Sequence, residues 1–239
     1  MNDHLVLVSG TSATGKSLSL RNIKNPEGVM YLNTEVGKKL PFPSKFKEYT
    51  ITDPMQIYEA FVKAEEMPKI HTIIVDSLTF LMDQYETQYV LTSDNTMKAW
   101  GDYAQYFKIL MINYVAKSTK DVIFTAHTLD VRNEKELTMD TLVKVKGSLM
   151  NNGIESWFSS VISTKKLPLN QLAEYKDTPL RKVTEMEKEL GFKYVFQTQL
   201  TKKTVTDRIR SPLAMWERSE TFIDNDIQLV LNRLDEYYK

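Results

Sequence analysis

Residues 9–17 read SGTSATGKS. Two glycines stand five residues apart, and a lysine and a hydroxyl residue follow at once. These types at this spacing suit the binding of phosphate. The backbone N–H groups of Gly10, Thr11, Ser12, Ala13, Thr14 and Gly15 can form an anion cradle that opens onto a helix N-terminus. Lys16 can reach the β and γ phosphates of a nucleotide, and the Ser17 hydroxyl can complete the coordination of Mg²⁺. The apolar run LVLV at 5–8 before the loop and a short helical pattern over 16–23 after it supply the strand–loop–helix context. The motif alone leaves open whether the nucleotide is substrate, fuel or switch.

Three further residues could do chemistry beside such a loop. Asp76 ends the apolar run TIIVD, and a buried acid there needs a cation or strong donors. It would hold Mg²⁺, directly or through water; the plain alternative is a cap on the next turn. Glu35, in YLNTE, stands just past a second apolar run, where a carboxylate could orient and deprotonate a water attacking the γ-phosphate. His127 ends VIFTAH, where a polar tip could sense that phosphate and pass its state onward. A surface glutamate and a strand-capping histidine remain open readings of these two.

The elements that must position these residues are legible as periodicity. Short β-branched runs at 5–8, 29–32, 72–75, 122–126 and 158–163 read as parallel strands covered on both faces. Helical patterns fall at 54–66, with Asp53 as cap and Pro54 in the first turn, and at 97–117, the longest. Alternation of strand and helix predicts an α/β fold, a mostly parallel twisted sheet with helices on both faces. Later, 179–190 reads as a charged helix closed by Gly191, and 192–199 with 201–206 as a C-terminal antiparallel β-ribbon. An amphipathic helix over 224–238 closes the chain. The polar stretch 128–153 reads as a mobile functional loop.

Composition bounds the rest. The 239 residues fit one large domain. The lack of cysteine excludes disulfides and thiolate chemistry, and three scattered histidines argue against a zinc or haem site. No apolar run approaches a membrane span; a soluble cytoplasmic protein with no membrane partner is the expectation. The net charge is zero, so charge alone gives no support to polyanion binding.

Taken in order, the phosphate loop, Glu35 in NTE, Asp76-Ser77 ending an apolar strand, His127 and the basic pair before a proline in TDRIRSP resemble the RecA-like ATPase core. The resemblance covers roughly residues 4–212 of a single domain, to which the helix at 224–238 is added. It implies a RecA-like P-loop NTPase fold and Mg²⁺-dependent ATP hydrolysis stimulated by single-stranded DNA. It also implies a homo-oligomer, ring or filament, in which Arg208 and Arg210 reach a neighbour's ATP as catalytic residues in trans. The chain looks most like the small core-only ATPases of bacteriophages that act in recombination and single-strand annealing (the Sak-type group). Such proteins act in the host cytoplasm, with a single-strand-binding or annealing protein as a further partner. They lack the N-terminal polymerisation segment and C-terminal domain of bacterial RecA. The family's usual sensor is glutamine, and His127 departs from it. In the RecA plan two loops face DNA. Here they fall at about 84–98, with Tyr85 and Tyr89 to stack on bases and Lys98 as cation, and at 128–146, with Arg132, Lys135, Lys144 and Lys146.

Overall fold

Buried β-branched runs build the sheet. The computed structural model describes residues 2–134 and 137–239. In chain order the strands are β1 (Leu5–Gly10), β2 (Val29–Asn33), β3 (Lys47–Thr50), β4 (Thr72–Asp76) and β5 (Asp121–Asn133). They are followed by β6 (Thr138–Val143), β7 (Ser160–Pro168), β8 (Phe192–Gln197) and β9 (Phe222–Asp224). The sheet order is β3-β2-β4-β5-β1-β7-β8-β9, with β6 paired to β5 alone. Every pairing from β3 across to β7 is parallel, whereas β7–β8, β8–β9 and β5–β6 are antiparallel.

The pleat divides the core. Leu5 and Leu7 of β1 face one layer, which holds the helices Gln56–Glu66, Leu78–Tyr85 and Thr96–Ile109. Val6 and Val8 face the other, where Leu20, Ile23 and the helix Ile227–Tyr237 pack. A strand buried on both faces needs no polar alternation, which is why the parallel strands read as unbroken apolar runs. Register then brings the carboxyl ends together. Gly10 pairs with His127, and Asn33 with Asp76. The phosphate loop, Glu35, Asp76 and His127 therefore meet at one edge of the sheet, the edge where open α/β sheets bind ligands.

Three local expectations need correction, and one strand went unread. The stretch 128–153 is no irregular loop: β5 runs on past the sheet and folds back through β6 as an antiparallel arm, followed by the helix Gly147–Asn152. Leu129 and Val131 alternate there with Thr128, Asp130 and Arg132, the period of a strand with two unlike faces. The C-terminal antiparallel pairing forms, but 201–206 is not the partner of 192–199. β8 pairs instead with β7 and β9, while Thr201 and Thr204 close a turn through Thr204 Oγ1 at 3.0 Å from the Thr201 N–H. The charged helix is shorter, Glu185–Leu190, because Thr184 and Glu187 form a capping box that starts it there. The strand β3 carried no apolar signal, its residues KEYT being those of an exposed sheet edge. Among the described residues, no helix is long and apolar enough to cross a membrane.

Candidate active site

The phosphate loop leaves β1 at Gly10. A Cβ there would lie 2.1 Å from Thr164 Oγ1 and 2.8 Å from Thr14 Oγ1, so only glycine fits the close approach of β7. Thr14 Oγ1 in turn donates to Thr11 O at 2.8 Å, and the Thr14 and Thr164 hydroxyls lie 2.6 Å apart. Ala13 and Gly15 both take positive φ, 60° and 93°, curling the backbone before the 3₁₀ turn Ser17–Asn22. Lys16 is 7% exposed. Its Nζ donates to Gly10 O at 3.0 Å and Thr11 O at 2.8 Å. Burial pushes its ammonium down to about 8, against the pull of Asp76 and Glu35.

Asp76, 2% exposed at the end of β4, meets the donors that a buried carboxylate needs. Oδ2 accepts from Ser17 Oγ and from the Tyr31 hydroxyl, each at 2.8 Å, and Oδ1 accepts from Thr125 on the neighbouring strand. Burial, and then the charge of Asp76, pushes the Tyr31 phenol well above its ordinary value. The Ser17–Asp76 pair is an all-oxygen donor set next to a phosphate cradle. That chemistry fits Mg²⁺, which takes few protein ligands and completes its shell with phosphate oxygens and water.

Glu35 follows β2 on a turn anchored by Thr34, whose Oγ1 donates to Ser77 O at 2.7 Å. Its Oε1 lies 3.3 Å from His127 Nε2, and Oε2 accepts from Lys38. His127 Nδ1 lies 3.4 Å from Lys16 Nζ. The imidazole thus stands between an ammonium, which can only donate, and a carboxylate, which can only accept. Burial alone would raise the Glu35 carboxyl, but the hydrogen bonds from His127 and Lys38 overcome it and hold the group at about 2. A cleft of about 260 Å³ opens over Ser12, Lys16, Ser17, Glu35, His127 and Tyr194. It presents a cation, the Ser17 hydroxyl and an ionised carboxylate to one volume, with Asp76 behind Ser17 as its hydrogen-bond partner, the set that phosphoanhydride hydrolysis requires.

The other expected residues are scattered. Arg208 donates from Nη1 to the buried Glu155 at 3.0 Å, so it is held within its own chain. Arg210 is exposed, with Nη1 at 3.4 Å from Ser156 O. Tyr85 is 6% exposed and packs on Tyr106 with ring centroids 4.5 Å apart, so the expected base-stacking role does not stand for it. An aromatic at helical spacing served the core. Tyr89 is exposed and donates to Asp53 at 3.1 Å. Lys98, Arg132 and Lys144 are exposed, whereas Lys146 pairs with Glu86 at 2.6 Å. Lys135 lies outside the described residues. Four residues at the site went unread in the sequence: Tyr31, Thr125, Lys38 and Tyr194. Thr125 alone carried a signal, as a polar residue inside the apolar run VIFTA.

A family model described as AAA domain matches residues 3–204. No curated protein matches the chain. The matched span takes in the phosphate loop, Glu35 and His127, which line the cleft, and Asp76, which bonds Ser17 from behind it. The chain belongs to the AAA domain family and is a nucleotide-hydrolysing P-loop ATPase.

Proposed function

We propose that the chain hydrolyses ATP with Mg²⁺ to drive work on single-stranded DNA, in recombination or annealing of the bacteriophage type. It does so as a homo-oligomer whose active site is completed across a subunit interface. The observation that carries the catalytic part is the line Lys16–His127–Glu35, three side chains joined end to end at 3.4 Å and 3.3 Å. Lys16 exchanges the carbonyls of Gly10 and Thr11 for the β and γ phosphates. Ser17 and Asp76 are the residues that would hold Mg²⁺, and the ion would supply neutralisation of charge on the phosphate oxygens. Glu35, already ionised, orients the attacking water and takes its proton, while His127 registers whether Lys16 is drawn to the phosphate.

The same histidine stands where β5 leaves the sheet for the arm, and its carbonyl accepts the Lys144 N–H at 2.7 Å. A change at the phosphate can therefore reach Arg132 and Lys144 on the arm, the cations best placed for a DNA backbone. Exposed Arg210 is the better trans candidate of the basic pair. One observation favours a second reading, a nucleotide-switched assembly factor: the arm ends in apolar Leu137, 78% exposed, with Met139 exposed beside it. The test is ATP hydrolysis with and without single-stranded DNA, with a size measurement on the same sample. A DNA-stimulated rate that falls with salt and belongs to an oligomer supports the first reading. A slow, unstimulated rate that rises only with a protein partner supports the second.

A further inference from the structure

Asn225 occupies the short link between β9 and the helix Ile227–Tyr237, and is 3% exposed. Neither its Oδ1 nor its Nδ2 finds a hydrogen-bond partner among the described residues. A buried carboxamide has one acceptor and two donors to satisfy, and leaving them unmade is unfavourable. An apolar residue of similar shape would sit without that penalty in these surroundings, beside the cluster of Ile223, Ile227 and Val230.

The carboxamide lies against the phosphate loop. A Cβ on Gly15 would stand 3.3 Å from Oδ1 and 3.4 Å from Nδ2, so the amide covers the glycine face directly. Its backbone is fixed there as well. Arg21 Nη1 donates to Asn225 O at 2.8 Å and to Leu18 O at 3.0 Å, which ties the link to the turn after the loop. Asn22 Nδ2 donates to Asp226 at 2.7 Å and holds the next residue. The loop itself is closed on Lys16 through the Gly10 and Thr11 carbonyls. A phosphate that draws Lys16 away releases those carbonyls, while Gly15 O keeps the Ser19 N–H at 3.0 Å with a lone pair to spare, and the side chain that faces the glycine is Asn225.

We propose that Asn225 is a positioning residue of the nucleotide site, whose carboxamide hydrogen-bonds the backbone at Gly15 when phosphate occupies the loop. It thereby favours the nucleotide-binding form of the loop over the form closed on Lys16. This rests on the reading of residues 10–17 as a nucleotide site. The test compares the full-length wild type with Asn225→Leu, using Mg²⁺-ADP as probe. The variant should melt at or above the wild-type temperature without ADP, yet bind ADP about tenfold more weakly, the effect of one lost hydrogen bond. A purely structural asparagine would move the two the other way, and a variant that melts lower but binds ADP at the wild-type Kd overturns the proposal. Should the variant not fold, the wild type decides. Its Asn225 side-chain NH₂ resonances should shift downfield on saturation with ADP, and resonances unmoved at saturation overturn the proposal. A wild type that binds no ADP overturns the nucleotide reading itself, and this inference with it.

Discussion

At the scale of single residues the cleft has two titrating groups set against their usual ranges. Glu35 is buried, yet His127 and Lys38 keep it ionised, with its carboxyl at about 2. In the proposed mechanism such a carboxylate would orient the attacking water in the ground state and take its proton only as the bond to phosphorus forms. Glu35→Gln should still bind ATP, and hydrolyse it at least about 10²-fold more slowly, the low end for a lost general base. Single-turnover rates at saturating ATP check this, and an unimpaired variant removes Glu35 from the mechanism. Lys16 differs in kind, because burial brings its ammonium down to about 8 and not to a value far from working pH. A bound phosphate requires the proton, so ADP binding takes up a proton once the free protein has lost it. ADP affinity should fall as pH rises from 7.5 towards 9.5. Titration calorimetry in buffers of different ionisation enthalpy reads the proton uptake. Lys16→Arg, which stays charged throughout, should abolish the pH dependence.

At the scale of elements, the sheet is pinned at the end opposite the cleft. His4 precedes β1, and its Nδ1 lies 2.7 Å from Asp121 at the start of β5, with Asp235 at 3.8 Å from Nε2. The hydrogen bond to Asp121 raises the His4 pKa, against the opposing effect of burial. A raised folded-state pKa contributes stability that is fully present below the unfolded value of about 6.5. That contribution is lost as pH rises through the folded value. The melting-temperature gap between wild type and His4→Ala should therefore shrink as pH goes from 5.5 to 8.5. A gap that stays constant assigns His4 to packing alone. At the other end, the arm formed by β5 and β6 begins one residue past His127, so one element belongs to the sheet at its start and to the surface at its tip.

At the scale of the whole molecule, the proposed assembly would add to the cleft a cation from a neighbouring copy. Arg208 is committed to Glu155, which leaves Arg210 exposed near it in sequence. Arg210→Ala should lower turnover in assemblies and leave any monomeric rate unchanged. Hydrolysis measured across a dilution series, with mass measured on the same samples, separates the two. Monomers that turn over at the full assembly rate would remove the trans role.

The phosphate loop, Asp76 and the parallel strands were legible because their signals are local. A glycine-bounded loop needs its glycines in sequence, and a doubly covered strand needs an unbroken apolar run. Glu35 and His127 could be named but not joined, since the 3.3 Å between them depends on which strands are neighbours and in what register. The joining of hydroxyls to Asp76 was hidden for the same reason: Ser17 was named from its motif and Thr125 stood out in VIFTA, but these two and Tyr31 come from three separate elements. Tyr85 misled because an aromatic at helical spacing looks the same whether it faces solvent or core. Sequence alone thus determined the phosphate chemistry and the α/β layering, both written in contiguous residues. Tertiary structure decided which groups meet, that Arg208 is spoken for, and that Asn225 lies against Gly15. Distances across a sheet arise from strand order, which no single stretch of chain encodes.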